Sequence, residues 1–256
     1  MHIPPIVAAV IYVVGIVGLF WLDREPQAQT SKALWIPTAW LMAICSRPVS
    51  MWLGMSPAGG TANVYVEGSP IDAAMFLALV SASLVVVIAR KEQVGPILRG
   101  NWPILLFFVY AGYSILWSEF PFVTFKHWVK GVGDVLIVLV VLTEPNLTDA
   151  LKRLITRVGF VLLPLSVLCC KYYPAVGRGL TNSWSLQWRG VTMGKNELGG
   201  VCIVFGLGLL WRFRTAYRDR EVSTRRGRLV ALGTVLAMVV WLLWKCRSMT
   251  SICALK

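Results

Sequence analysis

Long apolar runs alternate with short polar segments along the whole of this 256-residue chain. The runs fall at roughly 3–22, 34–53, 71–89, 102–117, 129–142, 154–170, 198–211 and 229–244. Val135-Leu-Ile-Val-Leu-Val-Val-Leu142 has no polar position at all, so the pattern leaves no wet face along it. A helix apolar all round meets lipid or a deep core. A full crossing takes about 20 residues, so several runs must extend into their flanks. The pattern predicts an all-α, polytopic membrane helical bundle of about eight transmembrane helices, one transmembrane domain over 1–256. The first run, Ile3 to Leu22, lacks a basic leader and a small-residue cleavage site. It reads as a retained helix, not a signal peptide.

Composition agrees with the pattern. Hydrophobic residues make up 57% of the chain, the mean hydropathy is +0.67, and only 14% of residues are charged. A soluble domain carries about a quarter charged residues. The 12 tryptophans fit a chain with two water–lipid boundaries, where Trp collects.

Charge changes the picture in one respect. The net charge of +13 would suggest nucleic acid on a soluble protein. Here the cations sit between apolar runs, so they read as topology signals, and no nucleic-acid partner is expected. Loops 23–33, 90–101, 143–157 and 212–228 hold 15 of the 25 lysines and arginines, chiefly through Arg212, Arg214, Arg218, Arg220, Arg225, Arg226 and Arg228. That side is expected to be cytoplasmic. The N-terminus and the long loops 46–70 and 171–197 then fall outside. Tyr172, Tyr173, Trp184 and Trp188 in the second loop read either as interface aromatics or as platforms on which sugar rings stack.

Several routes to chemistry are missing. No P-loop, GxGxxG, HExxH or GxSxG is present. The six cysteines, Cys45, Cys169, Cys170, Cys202, Cys246 and Cys253, form no CxxC pair and read as small core residues. No metal and no cofactor is expected. Glycines 199, 200, 206 and 208 read as helix-packing faces.

What remains is cationic. Trp188-Arg-Gly-Val-Thr-Met-Gly-Lys-Asn-Glu-Leu-Gly-Gly200 sets Arg189, Lys195, Asn196 and Glu197 against the start of an apolar run. A second patch, Lys126 to Lys130, lies at the start of another. Arg47 falls inside the 34–53 run and Asp134 near the start of 129–142, and intramembrane charge costs about 2.5–3.5 kcal/mol on insertion scales. Arg47 either snorkels or lines a wet cavity. Asp134, four residues from Lys130, either pairs with it on one helix face or serves a pathway. His127 reads as a surface residue or as an acid–base group. Arg47, Lys126, Lys130, Arg178, Arg189 and Lys195 together would suit a pyrophosphate, since Arg forks bind phosphate oxygens in pairs and Lys adds point charge. The helix beginning near Asn196 would add its positive end.

In order along the chain, several stretches resemble O-antigen ligase and exopolysaccharide polymerase-like membrane proteins. They are Lys32-Ala-Leu-Trp-Ile-Pro-Thr-Ala-Trp40, Ser46-Arg-Pro-Val-Ser50, Glu67-Gly-Ser-Pro-Ile-Asp72 and Leu116-Trp-Ser-Glu-Phe-Pro121. Lys126-His-Trp-Val-Lys-Gly-Val-Gly-Asp134, Lys171-Tyr-Tyr-Pro174, Gly190 to Gly199 and Ser248-Met-Thr-Ser251 continue the likeness. The resemblance implies a multi-pass protein of the bacterial inner membrane. It implies a metal-independent glycosyltransferase that passes a glycan from undecaprenyl pyrophosphate to a lipid A-core or polysaccharide acceptor. Arg189, Lys195 and His127 would then be catalytic. Lys126, Lys130, Arg47, Asn196, Trp188 and Asp134 would bind substrate. Two departures stand out. His127 replaces an expected Arg-like residue, and the family continues past this length with a large external loop carrying a late histidine. The expectation is a C-terminally truncated member. The other functions kept open are a transporter or flippase using Arg47 and Asp134, and a non-catalytic scaffold among polysaccharide-assembly proteins.

Overall fold

The structure, a computed structural model, describes residues 4–23, 30–55, 69–180, 186–218 and 225–246. Trp184, His2, Glu67, Gly68, Cys253 and the 248–251 stretch lie outside the described residues. In chain order the helices are α1 (Pro5–Leu22), a 3-10 turn (Lys32–Leu34), α2 (Trp35–Ile44), α3 (Val49–Trp52), α4 (Pro70–Ala89), α5 (Lys91–Gly100) and α6 (Trp102–Tyr113). A second 3-10 turn (Ser114–Trp117) follows, then α7 (Pro121–Leu142), α8 (Leu147–Tyr172) and the short α9 (Pro174–Gly177). Strands β1 (Arg178–Leu180) and β2 (Leu186–Trp188) precede α10 (Lys195–Arg218) and α11 (Arg225–Cys246).

Helix accounts for 84% of the described residues, and the chain is a multi-pass helical membrane protein. Every expected apolar run contains helix, but the runs are not equivalent. Five helices, α1, α4, α8, α10 and α11, are long and apolar enough to cross a membrane. A sixth crossing results if α5 and the segment Trp102–Trp117, bent by 86° at Asn101, count as one broken span. Pro103 sits in the first turn of α6 and has no amide hydrogen to continue the preceding helix. Helix α7 is 22 residues long, yet Lys126, Lys130 and Asp134 charge its first two-thirds.

The 34–53 run is not one helix, and Arg47 therefore does not lie inside a continuous span. Helix α2 ends at Ile44 and α3 begins at Val49. Pro48 explains the break: it lacks a donor and its ring disfavours helical backbone at Arg47.

The described chain forms two compact units: Gln29–Ala43 with Pro48–Leu151, and Met1–Ala28 with Ile44–Arg47 and Lys152–Lys256. In the first, α4 packs on α7. Trp40 is buried there with its ring edge-on to Phe76, centroids 5.1 Å apart. Gly133 makes room for it, because a Cβ there would stand 2.9 Å from Val80 as well as crowding the indole. One end of this unit is fastened by Glu144, which accepts from the Ser31 amide at 2.8 Å, the Ser31 hydroxyl at 2.5 Å and Arg90 Nη2 at 2.9 Å. Arg90 also donates to the Thr143 carbonyl at 3.2 Å. At the other end Asp72 accepts from the amide and hydroxyl of Ser50 at 3.1 and 2.5 Å.

In the second unit, α10 and α11 pack antiparallel, with Gly206 facing Val239 and Gly233 facing Phe213. The core lies along α8, where Val158, Phe160 and Leu163 are fully buried. Gly208 admits Ile155 of α8, while Gly200 faces open space, so the small-residue packing expected from sequence holds at 206 and 208 and not at 200. One end is closed by Arg212, which donates to Asp23 Oδ2 at 2.7 Å and to the Thr156 hydroxyl. Arg212 is only 5% exposed, so this member of the arginine-rich loop is a buried partner and not a headgroup anchor.

Candidate functional site: a cationic, aromatic cavity at the head of α10

Residues 173–180 and 186–198 build this site, and glycines let them fold tightly. Gly177 packs on the backbone of Cys169 and Cys170 with no room for a Cβ. Its carbonyl accepts from the amides of Arg189 at 2.9 Å and Gly190 at 3.1 Å. Strands β1 and β2 pair antiparallel, with Arg178 opposite Trp188 and Leu180 opposite Leu186. Sequence reading placed only loop here; strands of three residues are too short for a period-2 pattern to register. Gly190 then turns the chain at φ +59°, a left-handed conformation that favours glycine. The Thr192 hydroxyl donates to the carbonyls of Arg189 and Gly194, at 2.7 and 2.9 Å. Helix α10 opens with the Leu198 amide donating to the Gly194 carbonyl at 3.1 Å. Glu197, in the first turn of α10, reaches back to accept from the Met193 amide at 3.0 Å.

The arginines expected to hold phosphate are largely engaged with this loop. The Arg47 amide donates to the Val191 carbonyl at 2.9 Å, its Nε to the Thr192 carbonyl at 3.2 Å, and its Nη2 to the Val176 carbonyl. Arg178 donates to the Cys170 carbonyl at 2.9 Å and lies 4.4 Å from the Trp188 ring centroid. The Arg189 guanidinium fills the space left by Gly179; its Nη1 makes a long 3.5 Å contact with the Met193 carbonyl. The Nε of Arg189 is buried without a hydrogen-bond partner among the described residues.

The lysines are placed differently. Lys195 is the first residue of α10, half-buried, with no ion pair or hydrogen bond among the described residues. Lys245, in the last turn of α11, holds its ammonium 5.4 Å from the Trp188 ring and 4.5 Å from the Trp244 ring. Trp241 meets Trp188 edge-on, centroids 6.2 Å apart. Between them is a cavity of about 360 Å³, lined by Leu186, Gln187, Trp188, Lys195, Trp244, Lys245 and Cys246. That volume lies in the range of small-molecule sites. Among the described residues its walls carry two cations and no carboxylate. Asn196 is exposed in the first helical turn beside Lys195.

Of the residues predicted from sequence, Arg47, Trp188, Arg189, Lys195 and Asn196 belong to this unit. Lys126, His127, Lys130 and Asp134 belong to the other, all on α7. The expected Lys130–Asp134 pair does not form. Asp134 accepts from Trp40 Nε1 at 2.8 Å, and Lys130 lies 5.1 Å from the Phe76 ring. A buried indole must place its N–H, and Asp134 is the acceptor within reach. Lys126 lies 4.4 Å from the Phe122 ring, and His127 is exposed with no hydrogen-bond partner among the described residues. Lys245, Trp244 and Trp241 were missed. Their signal was their spacing: positions 241, 244 and 245 share one face of a helix. Among the described residues no group of three or more His, Cys, Asp or Glu side chains is placed to hold a metal ion.

Compared with known proteins, the chain matches no family model, no curated protein and no solved structure.

Proposed function

We propose that this protein transfers a glycan from undecaprenyl pyrophosphate to a lipid A-core or polysaccharide acceptor at the outer face of a bacterial inner membrane. One observation carries the reading: the cavity with Lys195 and Lys245 in its walls, and no carboxylate among the described residues, at the end of two membrane-length helices. A lipid diphosphate is an amphiphile, and its chain would lie along such helices while its charge met the cations. Lys195 and the amides opening α10 would receive developing charge on the leaving diphosphate, where fixed donors lower a barrier most. Arg189, with a buried Nε still to satisfy, is the second group for that role. Trp188 lines the cavity where the sugar would lie. In this reading the cavity opens at the outer surface of the membrane. Asn196 binds substrate beside Lys195. On α7, Lys126 and Lys130 are the substrate-binding candidates to test and His127 the acid–base candidate. Arg47 and Asp134 act by positioning, the first on the loop and the second on Trp40.

The test is Arg189→Ala and Lys195→Ala in cells that make the polymer, scored beside His127→Gln. The expected result is loss of transferred glycan with lipid-linked donor accumulating on the outer leaflet. Donor trapped on the inner leaflet would point to a flippase, and unchanged polymer to a scaffold; either result overturns the transferase reading.

A further inference from the structure

The two ends of the cavity differ in a way that bears on the sugar, given the transferase reading above. Lys195 stands at the opening of a helix, with no ring contact among the described residues. Lys245 stands over two indoles, 5.4 Å from Trp188 and 4.5 Å from Trp244. An indole face is electronegative. A bare diphosphate brought to Lys245 would meet that negative face and offer nothing to stack on it. A sugar ring with a carboxylate does both jobs: its C–H face lies on an indole and its anion meets the ammonium. Trp244 is 63% exposed, so its ring is available for such a contact. Gln187 on the same wall supplies both a donor and an acceptor for hydroxyls.

We infer that the Trp188–Trp244–Lys245 end of the cavity is a subsite for an acidic sugar of the uronic type, with Lys245 reading the carboxylate and Trp244 the ring. Lys245 is thus a specificity-determining residue, distinct from the diphosphate site at Lys195.

The full chain in lipid nanodiscs is titrated with glucuronate, with its neutral methyl ester and with inorganic pyrophosphate, and binding is read by saturation-transfer NMR. Glucuronate is expected to bind about tenfold tighter than the ester, the scale of one charge-assisted hydrogen bond. Lys245→Gln should erase that difference while leaving the ester's affinity unchanged, which also shows that the variant is folded. Trp244→Leu should weaken both sugars. Equal binding of acid and ester by the unaltered protein, or an unaltered acid preference in Lys245→Gln, overturns the inference. Pyrophosphate separates the two proposals. If it binds and is lost in Lys195→Ala while no acid preference exists, only the sugar subsite fails. If the acid preference exists and pyrophosphate does not bind, only the transferase reading fails.

Discussion

The carboxylate of Asp134 accepts a 2.8 Å hydrogen bond from the indole Nε1 of Trp40, a side chain only 1% exposed. The pair holds α2 against α7, and Gly133 gives the ring its place. Trp40→Phe removes the donor and keeps most of the ring, so it should cost about 1.5–3 kcal/mol, the worth of a hydrogen bond to a charged group. Gly133→Ala should cost about 1–3 kcal/mol through overpacking. Thermal unfolding of the detergent-solubilised chain reads both. A melting temperature unmoved by Gly133→Ala would mean that the close approach is not there.

Glu144 joins the chain before α2, the end of α4 and the end of α7. Burial raises its pKa, but the Ser31 hydroxyl and amide and then Arg90 outweigh that, and the net direction is down. A carboxylate whose folded value lies below its unfolded one, about 4.3, stabilises fully above that unfolded value. The contribution fades as pH falls through the lowered folded value. Glu144→Gln should therefore cost about 3–5 kcal/mol near neutral pH by leaving Arg90 without its partner. The gap to the unaltered protein should narrow in acid. Stability curves of both proteins from pH 7 to pH 3 would show it, and a gap that widened in acid would reverse the sign argued here.

Arg212 and Asp23 are both nearly dry. Arg212→Met alone strands the carboxylate and should cost about 3–5 kcal/mol, whereas Arg212→Met with Asp23→Leu should recover much of that loss. Denaturant midpoints of the two single variants and the double variant complete the cycle. Strict additivity would show that the two side chains are not coupled.

Gly179→Ala is a way to move Arg189 without deleting it. A Cβ at 179 occupies the space that the guanidinium now fills. Expression and melting temperature should stay near those of the unaltered chain, since the strand is short and half-exposed. Pyrophosphate affinity and glycan transfer should fall together, by about tenfold for one displaced charged contact. Retained transfer would remove Arg189 from the site.

The helices were legible because lipid-facing segments must be apolar along most of their length, and Val135 to Leu142 or Pro70–Ala89 can hardly be read otherwise. Breaks were harder. Pro48 and Pro103 are visible in the sequence, but a hydropathy window averages across them. Charges were legible as unusual and not in their partnerships. Lys130 and Asp134 stand four apart, yet an indole 94 residues away takes the carboxylate, and no local spacing encodes such a contact. The Arg189–Lys195 stretch was found from its cations alone. Its other wall, Trp241 to Cys246, came from the end of the last described helix, where Trp and Lys are the ordinary furniture of a membrane boundary.

Arg47 has one further meaning. Its amide and guanidinium between them occupy the carbonyl oxygens of Val176, Val191 and Thr192. In a membrane protein, irregular backbone has to be buried in protein or line a water-filled cavity to satisfy its polar groups. One residue thus satisfies three carbonyls of the stretch between α8 and α10, two through its guanidinium and one through its backbone amide. Arg47→Ala would free the carbonyls of Val176 and Thr192 together while keeping the backbone bond to Val191, and deuterium uptake around both residues would rise in step.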